Sequence, residues 1–300
     1  MTERVALVTG AGRGIGRAIA LSLAKSGWSI VVNDLGAAPD GLGADSGPAA
    51  TVAAEIEAAG GRAMASTADV SDWEATREMV AAATETFGRL DGVVNCAGIL
   101  RDTIFHKMSE SEWDAVVQVN LKGAFCVSRA AAEVFREQGG GAYVHMASTA
   151  GLIGNLAQAN YSAAKLGIVA LSRSIAVDMA RYNVRSNAIA PFAWSRLIGT
   201  LPEETEAEKA RVARMKRMTP EQIAPLVEFL LSDSASDITG QVFVVRGNEL
   251  MLMSQPRPVR TMARLEGWTA DTVATHFAPA IRSSLVPLET SPQLFSYDPV

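Results

Sequence analysis

The chain has 300 residues, 48 % of them hydrophobic, which suffices for one large α/β core and makes a single domain the expectation. Its 32 acids and 27 bases leave a net charge of −5 with no basic stripe, which argues against a nucleic-acid binder. Met-Thr-Glu-Arg runs straight into the apolar residues 5–8 without a signal-peptide pattern, and no apolar run approaches the ~18 residues of a membrane span, so a cytoplasmic protein is expected.

Short Val/Ile/Leu-rich runs alternate with longer, alanine-rich amphipathic stretches. In chain order the pattern predicts a strand at 5–9, a helix at 15–25, a strand at 29–33 and an irregular Gly/Ala/Asp/Pro loop at 36–48. There follow a helix at 49–59, a strand at 63–66, a helix at 72–87, a strand at 92–95 and a long helix at 112–137. A strand at 142–146, a helix at 159–181 and a strand at 184–189 come next. The charged stretch 197–218 reads as a helix, either merely solvated or a mobile substrate lid, and its position in the fold favours the lid. A helix at 220–231 and a strand at 242–245 complete the series.

This rhythm predicts βαβ units: a doubly wound, mainly parallel, seven-stranded sheet with helices on both faces, Rossmann-like, and with right-handed crossovers. Residues 1–247 are expected to form one domain. From Asn248 the rhythm stops, and 248–300 is expected to be a C-terminal extension, extended at its prolines, with a short helix at 271–281. Fifty residues of such weak periodicity cannot bury a core of their own. Cys96 and Cys126 lie in apolar runs and are expected as reduced, buried thiols, while His106, His145 and His276 are too scattered for a zinc site.

Thr9-Gly-Ala-Gly-Arg-Gly-Ile-Gly16 leaves the first strand and opens the first helix. Glycines there let the backbone turn tightly and approach a pyrophosphate, and the helix start offers unpaired N–H groups to the anion. Gly10, Arg13, Gly14, Ile15 and Gly16 are therefore cofactor-binding candidates. Asp34 ends the second strand, where a carboxylate accepts hydrogen bonds from both adenosine ribose hydroxyls and repels a ribose phosphate; a plain turn-forming aspartate is the alternative. Arg13 could contact a phosphate of NADP, but Asp34 occupies the ribose position itself, so NAD is favoured over NADP.

Tyr161-Ser-Ala-Ala-Lys165 lies in a helical pattern that puts phenol and ammonium on one face, one turn apart. A free phenol titrates near ~10, and a neighbouring positive charge lowers that value. With the glycine loop, Asn95-Cys-Ala-Gly98, Asp69-Val70, Asn120 in Val-Asn-Leu-Lys-Gly123, and Ser148 thirteen residues before the tyrosine, residues 1–247 resemble the short-chain dehydrogenase/reductase superfamily. Cys96 departs from the family's second asparagine in that segment. The resemblance implies that Tyr161 exchanges the proton on the substrate oxygen. It implies that Lys165 lowers the Tyr161 pKa and holds the nicotinamide ribose, and that Ser148 hydrogen-bonds the developing alkoxide. Asn120 would anchor a water that relays protons. It also implies cofactor contacts from Asp69, Val70, Asn95, Ala97, Gly98, Tyr161, Lys165 and Pro191, with no metal.

Val31-Val-Asn-Asp-Leu-Gly36 and its Gly-rich insert, Ala97-Gly-Ile-Leu-Arg-Asp102, Gly154 through Gly167, Ile189-Ala-Pro191 and Ala224-Pro-Leu-Val227 resemble one branch of that family. It is the (3R)-hydroxyacyl-CoA dehydrogenase domain of the peroxisomal multifunctional β-oxidation enzyme and its bacterial relatives. The implied substrate is an acyl-CoA thioester; the competing readings are an alcohol or hydroxysteroid dehydrogenase and a non-catalytic dinucleotide-binding protein. Arg196, Arg214, Lys216 and Arg217 are candidate contacts to CoA phosphates, or solvated charges. Phe192 and Trp194 stand where the family often has glycine, and either reshape the acyl site or pack under the lid. The extension either crosses to a partner subunit or covers the substrate mouth. By resemblance, a homodimer or homotetramer pairs through the helices at 112–137 and 159–181.

Overall fold

Strand residues in this chain alternate between two buried faces. At 5–9, Ala6 and Val8 pack on one side of the sheet, Val5 and Leu7 on the other. Two-sided burial is why these runs are continuously apolar instead of alternating with polar residues. The computed structural model describes residues 3–38, 40–194 and 205–300, and 1–2, 39 and 195–204 lie outside it. Its strands are β1 (Val5–Thr9), β2 (Ser29–Asn33), β3 (Ala63–Ser66), β4 (Gly92–Asn95), β5 (Gly141–Met146), β6 (Val184–Phe192), β7 (Val242–Arg246) and β8 (Glu249–Leu252). They form one sheet in the order β3-β2-β1-β4-β5-β6-β7-β8.

The first seven strands are parallel, as expected, but the sheet has eight. β8 returns antiparallel on β7, pairing Arg246 with Glu249 and Val244 with Met251. The cause is the two-residue Gly247-Asn248 turn, where Gly247 adopts φ +60°. This corrects the seven-stranded expectation.

The helices are α1 (Gly14–Lys25), α2 (Gly47–Ala58), α3 (Trp73–Phe87), α4 (Glu110–Val117), α5 (Gly123–Gln138), α6 (Thr149–Leu152), α7 (Ala159–Asp178), α8 (Glu206–Lys216) and α9 (Ala224–Leu231). Ile19 and Leu23 of α1, Val52 and Ile56 of α2, and Leu226 and Leu230 of α9 cover one face of the sheet. Met79 and Val80 of α3, with Val127, Ala131 and Phe135 of α5, cover the other. The helix expected at 112–137 starts two residues earlier, at a Ser109–Glu112 capping box, and is interrupted by a wide turn at Gln118–Lys122 that carries Asn120. Of the predicted 197–218 helix, residues 205–218 fall among the described residues and 206–216 are helical as α8, while Arg196 lies outside them. The extension is helical over 270–281, close to expectation.

From β1 the chain moves outward to β2 and β3, then crosses back so that β4 pairs with the other side of β1. At such a reversal the loops beyond the two strand ends part and leave a crevice. Among the described residues, no helix is long and apolar enough to cross a membrane.

Candidate active site

The crevice is there: a cavity of about 260 Å³ beyond the ends of β1 and β4. Gly10, Arg13, Gly14, Ile15, Gly16, Asp34, Asp69, Val70, Ala97 and Gly98 line it. Its floor needs glycine. A Cβ on Gly16 would lie 2.2 Å from the Gly10 carbonyl oxygen, and one on Gly10 2.9 Å from Ala97 Cα. The N-cap residue Arg13 makes no side-chain cap to α1, whose opening turn is the end of a helix that offers N–H groups to an anion. The Thr9 hydroxyl accepts the N–H groups of Cys96 (3.0 Å) and Ala97 (3.1 Å), which ties the two loops together. The Asp34 carboxylate accepts the Gly12 N–H (2.9 Å) and the Gly36 N–H (2.7 Å), one at each oxygen, and is fixed at the cleft rim. Asp69 caps its own turn by accepting from the N–H and hydroxyl of Ser71, both at 2.8 Å.

Asn95 and Pro191 are placed differently. Pro191 sits within β6 opposite Val245. The Asn95 side chain turns inward, donating to Ser128 (2.9 Å) and lying 3.1 Å from His145 Nδ1, whose ring reaches Ser186 on its other side (3.2 Å). Cys126 is buried and Cys96 half-buried at the cleft wall, where desolvation pushes its thiol up to about 11.

Lys165 and Asn120 come together beside Gly98, with Tyr161 next to the lysine and Ser148 next to the tyrosine. Ser148 opens α6, its hydroxyl oxygen accepting the Ala150 N–H (3.1 Å) while the hydroxyl also hydrogen-bonds the Tyr161 phenol. The backbone at Tyr161 is held by its neighbour. Asn160, fully buried, accepts the Tyr161 N–H (2.8 Å) and donates to the carbonyls of Arg101 (2.9 Å) and Glu112 (3.1 Å). One turn on, the buried Lys165 Nζ lies 5.5 Å from the Tyr161 ring centroid and donates to the Met146 carbonyl (2.8 Å). Asn120 donates to the carbonyls of Val116 (2.9 Å) and Ile99 (3.1 Å). Its Oδ1 is buried without a partner, 2.5 Å from where a Cβ on Gly98 would stand; Lys165 Nζ is 3.6 Å from that same point.

The electrostatics run against simple activation. Enclosure of the Tyr161 hydroxyl raises its pKa to about 12; Ser148 lowers it by hydrogen bonding, and Asp102 and Cys96 raise it further. Burial lowers Lys165 to about 8. In the chain by itself the enclosure of the phenol outweighs any help from the ammonium.

At the substrate mouth, Asp102 accepts from Gln158 (2.7 Å), whose amide oxygen accepts from Asn155 (2.9 Å), and the Thr103 N–H donates to the Ala157 carbonyl (2.9 Å). Nothing in the motif around Asp102 marked it for this place. The Trp194 backbone N–H donates to the Met218 carbonyl (2.6 Å), two residues past α8, and Lys216 lies 5.4 Å above the Trp194 ring.

A family model described as enoyl-(acyl carrier protein) reductase matches residues 10–247. Over 238 residues the chain is 44 % identical to mouse peroxisomal multifunctional enzyme type 2, covering 79 % of this chain but only 31 % of that enzyme. It is 40 % identical over 272 residues to hydroxyacyl-CoA dehydrogenase ChsB1 of Mycobacterium tuberculosis, covering 87 % of this chain and 82 % of that one. A crystal structure of a short chain dehydrogenase from Mycobacterium avium superposes with a TM-score of 0.82 at 39 % identity, over 96 % of this chain and 98 % of that one. The chain belongs to the short-chain dehydrogenase/reductase family. It is an oxidoreductase that acts on CH–OH groups of a small molecule with a nicotinamide dinucleotide.

Proposed function

We propose that the protein is an NAD-dependent dehydrogenase that interconverts (3R)-3-hydroxyacyl-CoA and 3-oxoacyl-CoA. The observation that carries the chemistry is the convergence on Gly98 of Lys165 and the unpartnered Asn120 oxygen, with the Tyr161 ring 5.5 Å from that ammonium and Ser148 hydrogen-bonding the phenol. The names of the relatives support the substrate class.

The cleft fits a dinucleotide: a floor that side chains would fill, an uncapped helix start for the diphosphate, and a fixed carboxylate at the rim. Gly10 and Arg13–Gly16 would hold the diphosphate, Asp34 the adenosine ribose, Asp69 and Val70 the adenine, and Lys165 the nicotinamide ribose. A dinucleotide held there would supply the acceptor and donor for the hydride of the carbinol carbon. Tyr161 takes the hydroxyl proton as the alcohol is oxidised and gives it back in reduction. Ser148, whose hydroxyl hydrogen-bonds the Tyr161 phenol, would turn that hydrogen to the substrate oxygen. Lys165, lowered to about 8, passes protons onward, and the Asn120 oxygen anchors a water on that route. The Asp34 charge disfavours a ribose phosphate, hence NAD. In this reading 1–247 carries cofactor and chemistry, 248–300 is an accessory extension, and the protein is cytoplasmic, a homodimer or homotetramer.

One observation favours a second reading, an alcohol or hydroxysteroid dehydrogenase of uncharged substrates. Arg214 and Arg217, candidates for CoA phosphates, are paired with Asp298 (3.2 and 3.6 Å). Initial rates with NAD and NADP across (3R)- and (3S)-hydroxyacyl-CoAs, fatty alcohols and sterols separate the two. The expected result is NAD-linked turnover of the (3R)-thioesters, and turnover of free alcohols alone would overturn it. Tyr161→Phe should lower turnover by about 10²–10⁴-fold while NADH binding, read by fluorescence titration, persists.

A further inference from the structure

The last ten residues close back over the substrate end of the sheet. Ser291, 2 % exposed, donates its N–H (2.9 Å) and hydroxyl (3.2 Å) to the carbonyl of Gly154, in the loop between Ser148 and Tyr161. Four residues on, the Phe295 ring meets Phe192 edge-on, centroids 5.1 Å apart. Phe192 ends β6, three residues past Ile189, which pairs with Met146 two residues before Ser148. The segment thus touches elements on both sides of the Ser148–Tyr161 pair.

It is held there by a buried cation. Arg246, 4 % exposed, donates to the carbonyls of Phe295 (3.3 Å) and Tyr297, with its guanidinium 4.4 Å from the Tyr297 ring centroid and its charge met by Glu249 (2.9 Å). A buried guanidinium left without acceptors is strongly unfavourable, so these carbonyls are part of how the core is satisfied. Beyond them, Asp298 pairs with α8, and the Asn248 N–H donates to the Val300 carbonyl (2.8 Å). Phe295 is therefore fixed in place, and with Phe192 it presents apolar surface without a hydrogen-bonding group. Such a surface suits a hydrocarbon chain and not a nucleotide head.

We propose that the C-terminal segment is a wall of its own subunit's substrate pocket, in which Phe295, backed by Phe192, limits the bulk of the apolar group admitted. The proposal rests on the dehydrogenase reading above for the acyl thioester as substrate.

The test uses the full chain as wild type, F295A, F295W and L288A, Leu288 being fully exposed in the extension. Each is assayed with (3R)-hydroxyacyl-CoAs of rising chain length. F295A should raise the long-to-short ratio of kcat/KM by about tenfold or more, and F295W should lower it. L288A should leave it unchanged, with NADH Kd constant throughout. One chain-length profile shared by all four proteins would overturn the wall. If F295A does not fold, F295L and F295W decide by the same ratio. Should the wild type turn over no thioester, the substrate reading falls by itself. The same variants on free secondary alcohols of rising bulk then decide whether Phe295 sets a size limit.

Discussion

Tyr161 is held near pKa 12 by desolvation, and its neighbours pull in opposite directions: Ser148 favours the phenolate, while Asp102 and Cys96 oppose it. Removing the Asp102 charge should therefore lower the phenol's pKa. Asp102→Asn keeps an acceptor for Gln158, so the wall of the mouth stays stitched. The expected outcome is a pH–rate profile for alcohol oxidation whose midpoint moves to lower pH, with a plateau little changed; an unmoved midpoint would show that the charge does not reach the phenol. At the cofactor rim, Asp34→Ala removes the acceptor of two backbone N–H groups in the cleft. Loss of a charged acceptor is worth about 1.5–3 kcal/mol, so NAD should bind at least roughly tenfold more weakly. Relief of repulsion should raise the NADP-to-NAD ratio of kcat/KM, read from initial rates.

The element that matters most for the site is the wide turn at Gln118–Lys122 between α4 and α5. It is a known feature of helices that must present a group inward, and here it delivers the Asn120 amide to the loop after β4. Close approach of that loop depends on Gly98. A methyl group there would stand 2.5 Å from Asn120 Oδ1, against an amide pinned at its other end by two carbonyls. Gly98→Ala should cost about 1–3 kcal/mol of stability, measured by denaturant unfolding, and should depress turnover more than NADH binding. Wild-type turnover in a folded Gly98→Ala protein would argue against a role for Asn120.

Across the whole molecule, one titrating group stands out beneath the sheet. His145 is fully buried between Asn95 and Ser186 and lies at about 3, against 6.5 when free, first through burial and then through Lys165. The unfolded imidazole takes up a proton as pH falls below about 6.5, whereas the folded one stays neutral down to about 3. Stability from this group is thus complete above the upper value and declines as pH falls through that window, by up to about 1.4 kcal/mol per pH unit. His145→Gln should flatten the acid limb of a stability-versus-pH curve from urea unfolding. A limb as steep as the wild type's would assign it to other groups.

Seven strands, the phosphate loop, and the one-turn spacing of Tyr161 and Lys165 were legible in the sequence, because two-sided burial, tight turns and helical periodicity are local demands that each leave a residue pattern, whereas Ser148 and Asn120 were marked only by the family resemblance. The eighth strand was missed although Gly247-Asn248 is a hairpin signal, because the four residues after it are short and half exposed. Asn160, Arg246 and Phe295 carried no signal at all. Their partners lie up to about a hundred residues away, and a contact at that range is set by how layers stack and where the chain returns. Only the folded sheet, bringing the tail back to β6, β7 and the loop before α7, decides which groups surround the substrate.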